Sequence, residues 1–375
     1  VTESKASPKV FVFAACNHLV KRVWKNKTNL VNDSYKAYTQ LIDYCVANLT
    51  NVVLGGDVFD STMPGPEDIR VFRNGMERLK AAGLTCFYYQ GQHERRNPPW
   101  LSAICDDLVY VNETLFEPVP GLTCYALDQR KRDDVEEACS HIPLQAKVLM
   151  IHQLEKSLIP FETAWDFDPE WLPPQITTVI AGDLHQPTQF TYTRPDGVNV
   201  LGVYSGSQHA LSVREDHDKS FLRVAYDVAT DTLDIGRVGI TSRAIVSRLV
   251  TAELSLDDVV ASISKLEAME PAEQPIWAVK FSASVEGAVS RLQLAAQNRC
   301  HLFLYPVITD NEGIEVVVDT STDDRTRMVD YLPEYTEAGS HLHTFMYELL
   351  TSCPDDAVAN LLTTMEIKQD AIKLS

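Results

Sequence analysis

Short β-branched or aromatic runs recur early in the chain at Val10 to Ala15, Asn51 to Gly55 and Leu84 to Tyr89, about 35 residues apart, with helical patterns between them. Strand and helix alternating in this way build βαβ units, so the spacing predicts a largely parallel sheet. Val148 to Ile151 and Thr177 to Ala181 continue the series. From Gln189 to about Val238 the pattern turns to successive strands with polar turns such as Pro195-Asp196-Gly197, which predicts a second sheet packed on the first. The 375 residues suffice for two or three domains.

Near residue 240 the character changes. A strand pattern at Arg243 to Thr251 precedes a helix opened by Ser255, with Val259, Ile263 and Leu266 on one face. Strand Ile276 to Phe281, helix Val285 to Gln297 and strand His301 to Val307 follow, giving a small α+β domain. Beyond it, Leu342, Phe345, Met346, Leu349 and Leu350 form one apolar helical stripe, and Val358, Leu361, Leu362 and Met365 form another. These stripes fit either core packing or docking on a partner helix. The expected domains are 1–238, 239–325 and a helical segment 326–375.

Composition narrows the function. With 45% hydrophobic and 23% charged residues the chain is ordinary globular material, and no apolar run approaches the roughly 18 to 20 residues that span a bilayer. The stretch Val1 to Lys9 is polar and the run after it too brief for a signal peptide, so a cytoplasmic protein without membrane contact is expected. The eight cysteines form no C-x-x-C pair, which removes zinc ribbons and disulfide frameworks. A net charge of −19 excludes a uniformly basic nucleic-acid coat. Nucleic-acid contact must then be local, with Lys21, Arg22, Lys25 and Lys27, or Arg95 and Arg96, as candidate patches against the plainer reading of solvated surface charge.

The chemistry collects at strand ends. Gly55-Gly56-Asp57-Val58-Phe59-Asp60 closes an apolar strand with two glycines and a carboxylate. Gly91-Gln92-His93-Glu94 follows the third strand, His152 ends another, and Gly182-Asp183-Leu184-His185 ends a further one. Each histidine alone fits a satisfied structural role, and Asp57 alone fits a helix cap. Together they place oxygen and nitrogen donors on one sheet edge, in an order that a parallel sheet brings together.

That series resembles the calcineurin-like metallophosphoesterases, and specifically the SbcD-type nuclease subunits. Their motifs D-x-H, G-D-x-x-D, G-N-H-D/E, a lone H and G-H-x-H run in order over residues 16 to 185, with substitutions, and Tyr204-Ser205-Gly206-Ser207 resembles their Y-x-G-S loop. The resemblance implies a four-layer α/β/β/α sandwich with a small α+β capping domain and C-terminal helices. It implies two divalent metal ions, manganese foremost, with zinc or magnesium as alternatives. One ion would be held by Cys16, His18, Asp57 and His185, the other by Asp57, Gln92, His152 and Asp183.

Three of these seven positions depart from the family: Cys16 stands for Asp, Gln92 for Asn and Asp183 for His. Each replacement still offers a lone pair. Two dications ~4 Å apart at an effective dielectric of ~20 repel by ~15 to 20 kcal/mol, so anionic ligands are required. Asp57 is retained as the bridge, and Asp183 restores the carboxylate lost at position 16. A Cys16 thiolate would bias its site toward softer ions such as zinc.

The activity implied is phosphodiester hydrolysis of DNA, exonucleolytic and single-strand endonucleolytic, with His93 as leaving-group acid or transition-state donor. Arg95, Arg96, Tyr204 and Ser207 are the substrate-binding candidates, and Trp100 is a candidate for base stacking. Implied partners are DNA, an SbcC-type coiled-coil ATPase docked on the terminal helices, and a second copy in a homodimer. Two alternatives stay open: a nuclease-like scaffold with a degenerate metal site that binds DNA ends or the ATPase without cutting, and a stand-alone phosphatase or phosphodiesterase.

Overall fold

The computed structural model describes residues 8–24, 30–159, 164–282, 287–309 and 315–317. Lys25, Lys27 and both apolar stripes of the 326–375 segment lie outside the described residues. The chain divides into two compact units, Val1–Val23 with Val31–Ser242, and Trp24–Leu30 with Arg243–Ser375.

The first unit runs β1 (Lys9–Ala14), α1 (Asp33–Asn48), β2 (Asn51–Gly55), α2 (Pro66–Ala81), β3 (Cys86–Tyr89), α3 (Leu101–Ile104), β4 (Leu108–Tyr110), β5 (Leu115–Phe116) and β6 (Cys124–Leu127). It continues with α4 (Arg132–Ser140), β7 (Val148–His152), β8 (Thr178–Gly182), β9 (Thr188–Thr193), β10 (Asn199–Tyr204), β11 (Lys219–Asp227) and β12 (Thr232–Ile240). Two six-stranded mixed sheets result, ordered β12-β11-β1-β2-β3-β4 and β5-β6-β7-β8-β10-β9. In the first, β1 to β4 are parallel, β11 runs antiparallel to β1 and β12 antiparallel to β11; in the second, β6, β7, β8 and β10 are parallel and the edges β5 and β9 antiparallel.

Period-two alternation sorts the side chains into layers. Val12, Ala14, Val52 and Leu54 face α1 and α2, whose buried Tyr38, Leu41, Phe72 and Met76 cover that side. Their neighbours Phe11, Phe13 and Val53 point the other way, onto Cys124, Ala126, Val148 and Met150 of the second sheet. Leu149, Ile151 and Val179 then pack against Val135, Ala138 and Cys139 of α4. This is the helix, sheet, sheet, helix sandwich of the metallophosphoesterase fold. Fully buried side chains such as Phe11 and Phe13 each contribute roughly 1.5 to 3 kcal/mol of transfer free energy, and a one-residue slip of β1 would forfeit it.

The strands after residue 189 do not form a sheet of their own, as their succession predicts. β9 and β10 complete the sheet of β7 and β8, while β11 and β12 extend the sheet of β1. Parallel runs buried on both faces, such as β7, carry no alternation that says which sheet they join.

The second unit holds β13 (Ile245–Leu249), α5 (Leu256–Ser264), β14 (Ile276–Ser282), α6 (Ala288–Ala296), β15 (His301–Thr309) and β16 (Glu315–Val317). Its sheet is ordered β13-β14-β15-β16, with the first three strands parallel. Ser255 caps α5 by accepting from Asp258 N, while Asp258 reaches back to Ser255 N at 3.0 Å. Val259, Ile263, Leu292 and Ala296 bury the helices together with Trp277, Val279 and Phe281.

Candidate metal centre

The C-terminal ends of β1, β2 and β3 meet those of β7 and β8, and the backbone there is unusual. Cys16 (φ 53°), His18 (φ 40°), Asp57 (φ 52°) and Asp183 (φ 87°) all adopt left-handed conformations. For residues other than glycine each costs of order 1 to 3 kcal/mol, a cost that concentrates where function needs it. Backbone pairing holds the geometry: Cys16 N donates to Gly56 O (3.0 Å), His18 N to Asp57 O (2.9 Å) and Leu19 N to Val58 O (2.9 Å). Close approach explains two glycines. A Cβ on Gly91 would sit 2.1 Å from Asp57 Oδ1, and one on Gly56 2.4 Å from His152 Nδ1.

Cys16, His18, Asp57 and His152 are completely or almost completely buried. Asp57 Oδ2 lies 3.2 Å from His152 Nε2 and 3.6 Å from His18 Nε2, and the Nε2 atoms of His18 and His185 are 3.2 Å apart. Donor atoms of Cys16, His18 and His185, and of Cys16, Asp57 and His152, fall within 4.8 Å of one another; so do those of His18, Asp60 and His93.

Two of the imidazoles share an orientation. His152 Nδ1 faces Gly55 O at 2.6 Å and His185 Nδ1 faces Glu215 Oε1 at 2.9 Å, whereas His18 Nδ1 lies 3.2 Å from Asp60 Oδ1 without an aligned hydrogen bond. Acceptors on Nδ1 favour a proton there and leave Nε2 with its lone pair toward the centre. Asp57 Oδ2 and His152 Nε2 are buried with no hydrogen-bond partner, being near each other but not aligned. Unpartnered buried donors and acceptors are expensive, and imidazole, carboxylate and thiol form a donor set suited to a divalent cation. The residues present therefore fit such an ion.

The charges agree. Burial alone would push the His152 imidazole down, but Asp57, with Asp183 behind it, raises it to about 10. Burial works against the Asp57 charge too, yet His152 and His18 hold its carboxyl well below the usual carboxylate range. Burial, then Asp57 and Asp183, push the Cys16 thiol far up, and burial with Asp57 raises Glu94 to about 8. The same carboxylates that favour a proton on His152 would favour a cation in its place.

No family model matches the chain. It is 27% identical over 226 residues to the DNA double-strand break repair protein Mre11 of Methanosarcina acetivorans, a stretch covering 56% of this chain and 35% of that protein. It is 26% identical over 263 residues to Mre11 of Thermoplasma acidophilum, covering 62% and 65%, and 24% identical over 213 residues to Mre11 of Sulfurisphaera tokodaii, covering 53% of each. These low-identity matches, together with the sandwich fold, support a likeness to the Mre11 and SbcD type of calcineurin-like metallophosphoesterase. It spans between about a third and two thirds of the length of these curated relatives.

The remaining site candidates fall in different places. Gln92 is exposed and donates from Nε2 to Asp183 Oδ1 at 2.9 Å, beside the centre. His93 stands at its rim, 39% exposed, with Nδ1 3.1 Å from Asp60 O and Nε2 3.9 Å from Asp57 Oδ2. Arg95 is exposed but donates to Gln129 O (2.9 Å) and Gln129 Oε1 (3.1 Å); Arg96, also exposed, lies 6.0 Å over the Trp100 ring. Trp100 itself packs on Phe59, and its indole N–H donates to Glu94 O. Tyr204 and Ser207 have no exposed surface. The Tyr204 hydroxyl donates to Gln153 O (2.6 Å) and accepts from Glu155 N (2.9 Å), so it braces the loop after β7 rather than facing a substrate in this conformation.

Sequence reading missed four contributors. Asp60 against His18 was visible in the G-D-x-x-D motif but unassigned, and Glu94 closes the turn after β3 by accepting from Gly91 N at 3.0 Å. Glu215 and Lys219, paired at 2.9 Å behind His185, lie in a stretch without periodicity or motif, and nothing local marks them.

Proposed function

We propose that this chain is a metal-dependent phosphodiesterase that cleaves DNA, acting as the nuclease subunit of an SbcCD-type complex. The observation that carries the reading is the buried Asp57 Oδ2 and His152 Nε2, 3.2 Å apart and neither in an aligned hydrogen bond, with the Nδ1 sides of His152 and His185 facing acceptors. Cys16, His18, Asp57 and His185 would hold one ion, and Asp57, Gln92, His152 and Asp183 the other, with manganese foremost. When bound, such ions supply Lewis acidity and an activated water for attack on phosphorus.

The chain's own residues do the rest. His93, with Nδ1 held toward Asp60 O, carries a rim-exposed Nε2 that in the doubly protonated imidazolium would donate a proton to the leaving oxygen. Arg95 and Arg96 lie on the same loop, where guanidinium groups suit a phosphate backbone. The name borne by the relatives, DNA double-strand break repair protein, supports DNA as the polymer. The finer assignments rest on the resemblance: exonuclease and single-strand endonuclease action by 1–238, a DNA-capping domain at 239–325, and 326–375 docking on an SbcC-type ATPase in a homodimeric assembly. A net charge of −19 favours a partner that supplies affinity for a polyanion.

A specific observation keeps the scaffold reading alive. Asp183 N donates to Cys16 Sγ at 3.3 Å and Gln92 Nε2 to Asp183 Oδ1 at 2.9 Å, so the three positions that depart from the family bond to one another. Chelator-stripped protein assayed on single- and double-stranded DNA with manganese, zinc or magnesium separates the two. Cleavage restored by one ion supports the enzyme; DNA binding without cleavage under every ion supports the scaffold.

A further inference from the structure

Glu215 lies in the loop between β10 and β11, thirty residues from His185, and its side chain is 13% exposed. Oε1 accepts from His185 Nδ1 at 2.9 Å. Oε2 accepts from Lys219 Nζ (2.9 Å), Ser207 Oγ (3.1 Å) and Leu211 N (3.3 Å). Lys219 is itself buried, and its ammonium also reaches Ser207 Oγ at 2.9 Å and lies 3.1 Å from His217 Nε2. A buried ammonium needs a counter-charge, and a carboxylate with four donors has little rotational freedom, so each fixes the other.

The consequence falls on His185. A carboxylate against Nδ1 requires the proton there, whereas a neutral imidazole free in water prefers it on Nε2. The clamp thus reverses the default and leaves a bare Nε2 3.2 Å from His18 Nε2. His18 Nδ1 lies 3.2 Å from Asp60 Oδ1 without an aligned hydrogen bond, so the bare Nε2 of His185 faces a ring whose own Nε2 can carry a proton to it or share a cation with it.

We infer that Glu215, clamped by Lys219, is a positioning residue that fixes the Nδ1–H tautomer of His185 and so readies its Nε2 for a divalent cation. The part about the cation rests on the metal-centre reading above; the part about the tautomer does not.

The test uses the full chain, nitrogen-15 labelled and held in chelator. Long-range proton–nitrogen NMR reads the His185 tautomer, and calorimetric titration with manganese chloride after chelator removal reads affinity. Wild type should show Nδ1–H and a bare Nε2. Glu215→Gln, which keeps an acceptor, should preserve that tautomer. The double variant Glu215→Ala/Lys219→Met, which removes both charges together, should shift the proton to Nε2 and weaken manganese binding by about 10- to 100-fold. A folded double variant with unchanged tautomer and affinity overturns the inference. So does an Nε2–H His185 in wild type, whether or not any variant folds. If wild type takes up no manganese, the metal reading fails, and the tautomer measurements still decide the clamp.

Discussion

Asp57 Oδ2 and His152 Nε2 lie 3.2 Å apart in a fully buried setting, and neither has a hydrogen-bond partner. Asp57→Asn isolates the charge, because the amide oxygen can still accept from His93 N, now 2.9 Å from Oδ1. Manganese affinity should fall more than about 100-fold while the fold survives, and His152 should titrate near or below its ordinary 6.5. Metal analysis and histidine NMR check both. Wild-type metal stoichiometry in this variant contradicts the assignment.

Stability of the metal-free chain should fall as the solution turns alkaline. His152 is raised from 6.5 to about 10 and Glu94 from 4.5 to about 8. A group raised on folding contributes fully below its unfolded value and loses that contribution as pH climbs through the folded one. Glu94 thus acts between pH 4.5 and about 8, and His152 between 6.5 and about 10. Asp57 is held low, so its contribution is present above 3.8 and lost in stronger acid. Thermal melts in chelator should peak at mildly acidic pH and decline toward pH 10, and Glu94→Gln should remove the lower part of that decline. A flat profile contradicts this.

Cys16→Asp should raise manganese affinity several-fold and remove any preference for zinc. Burial and the neighbouring Asp57 and Asp183 disfavour the thiolate, and aspartate tolerates the left-handed φ of 53° better than cysteine does. Competition titrations between the two ions measure it. An unchanged preference means Cys16 does not coordinate.

The strand ends were legible because glycine turns leave a local signature. Gly55-Gly56 and Gly91 bracket Asp57 and His93, and the structure shows why no side chain fits there. Sheet membership was less legible: β7 and β8 are buried on both faces, so their sequences do not state which layer they join. Tyr204 read as a substrate contact because of its motif, yet its hydroxyl is occupied by backbone at Gln153 and Glu155, partners some fifty residues away in sequence. Glu215 escaped for the same reason, since its role depends on His185, which no nearby pattern indicates.

His93→Ala should keep the bound ions and lower DNA hydrolysis by about 100-fold or more, as befits a lost proton donor. Its ring is the most exposed of the imidazoles around Asp57 and packs edge-on to His18 at 4.8 Å. Metal analysis beside turnover decides its role. Loss of metal would instead make His93 a ligand together with His18 and Asp60.

Anomalous scattering from crystals soaked in manganese tests the central claim most directly. Two difference peaks are predicted, both touching Asp57: one bounded by His152 and Asp183, the other by Cys16, His18 and His185. Crystals that diffract well yet show no peak at Asp57 would contradict a metal centre in this chain.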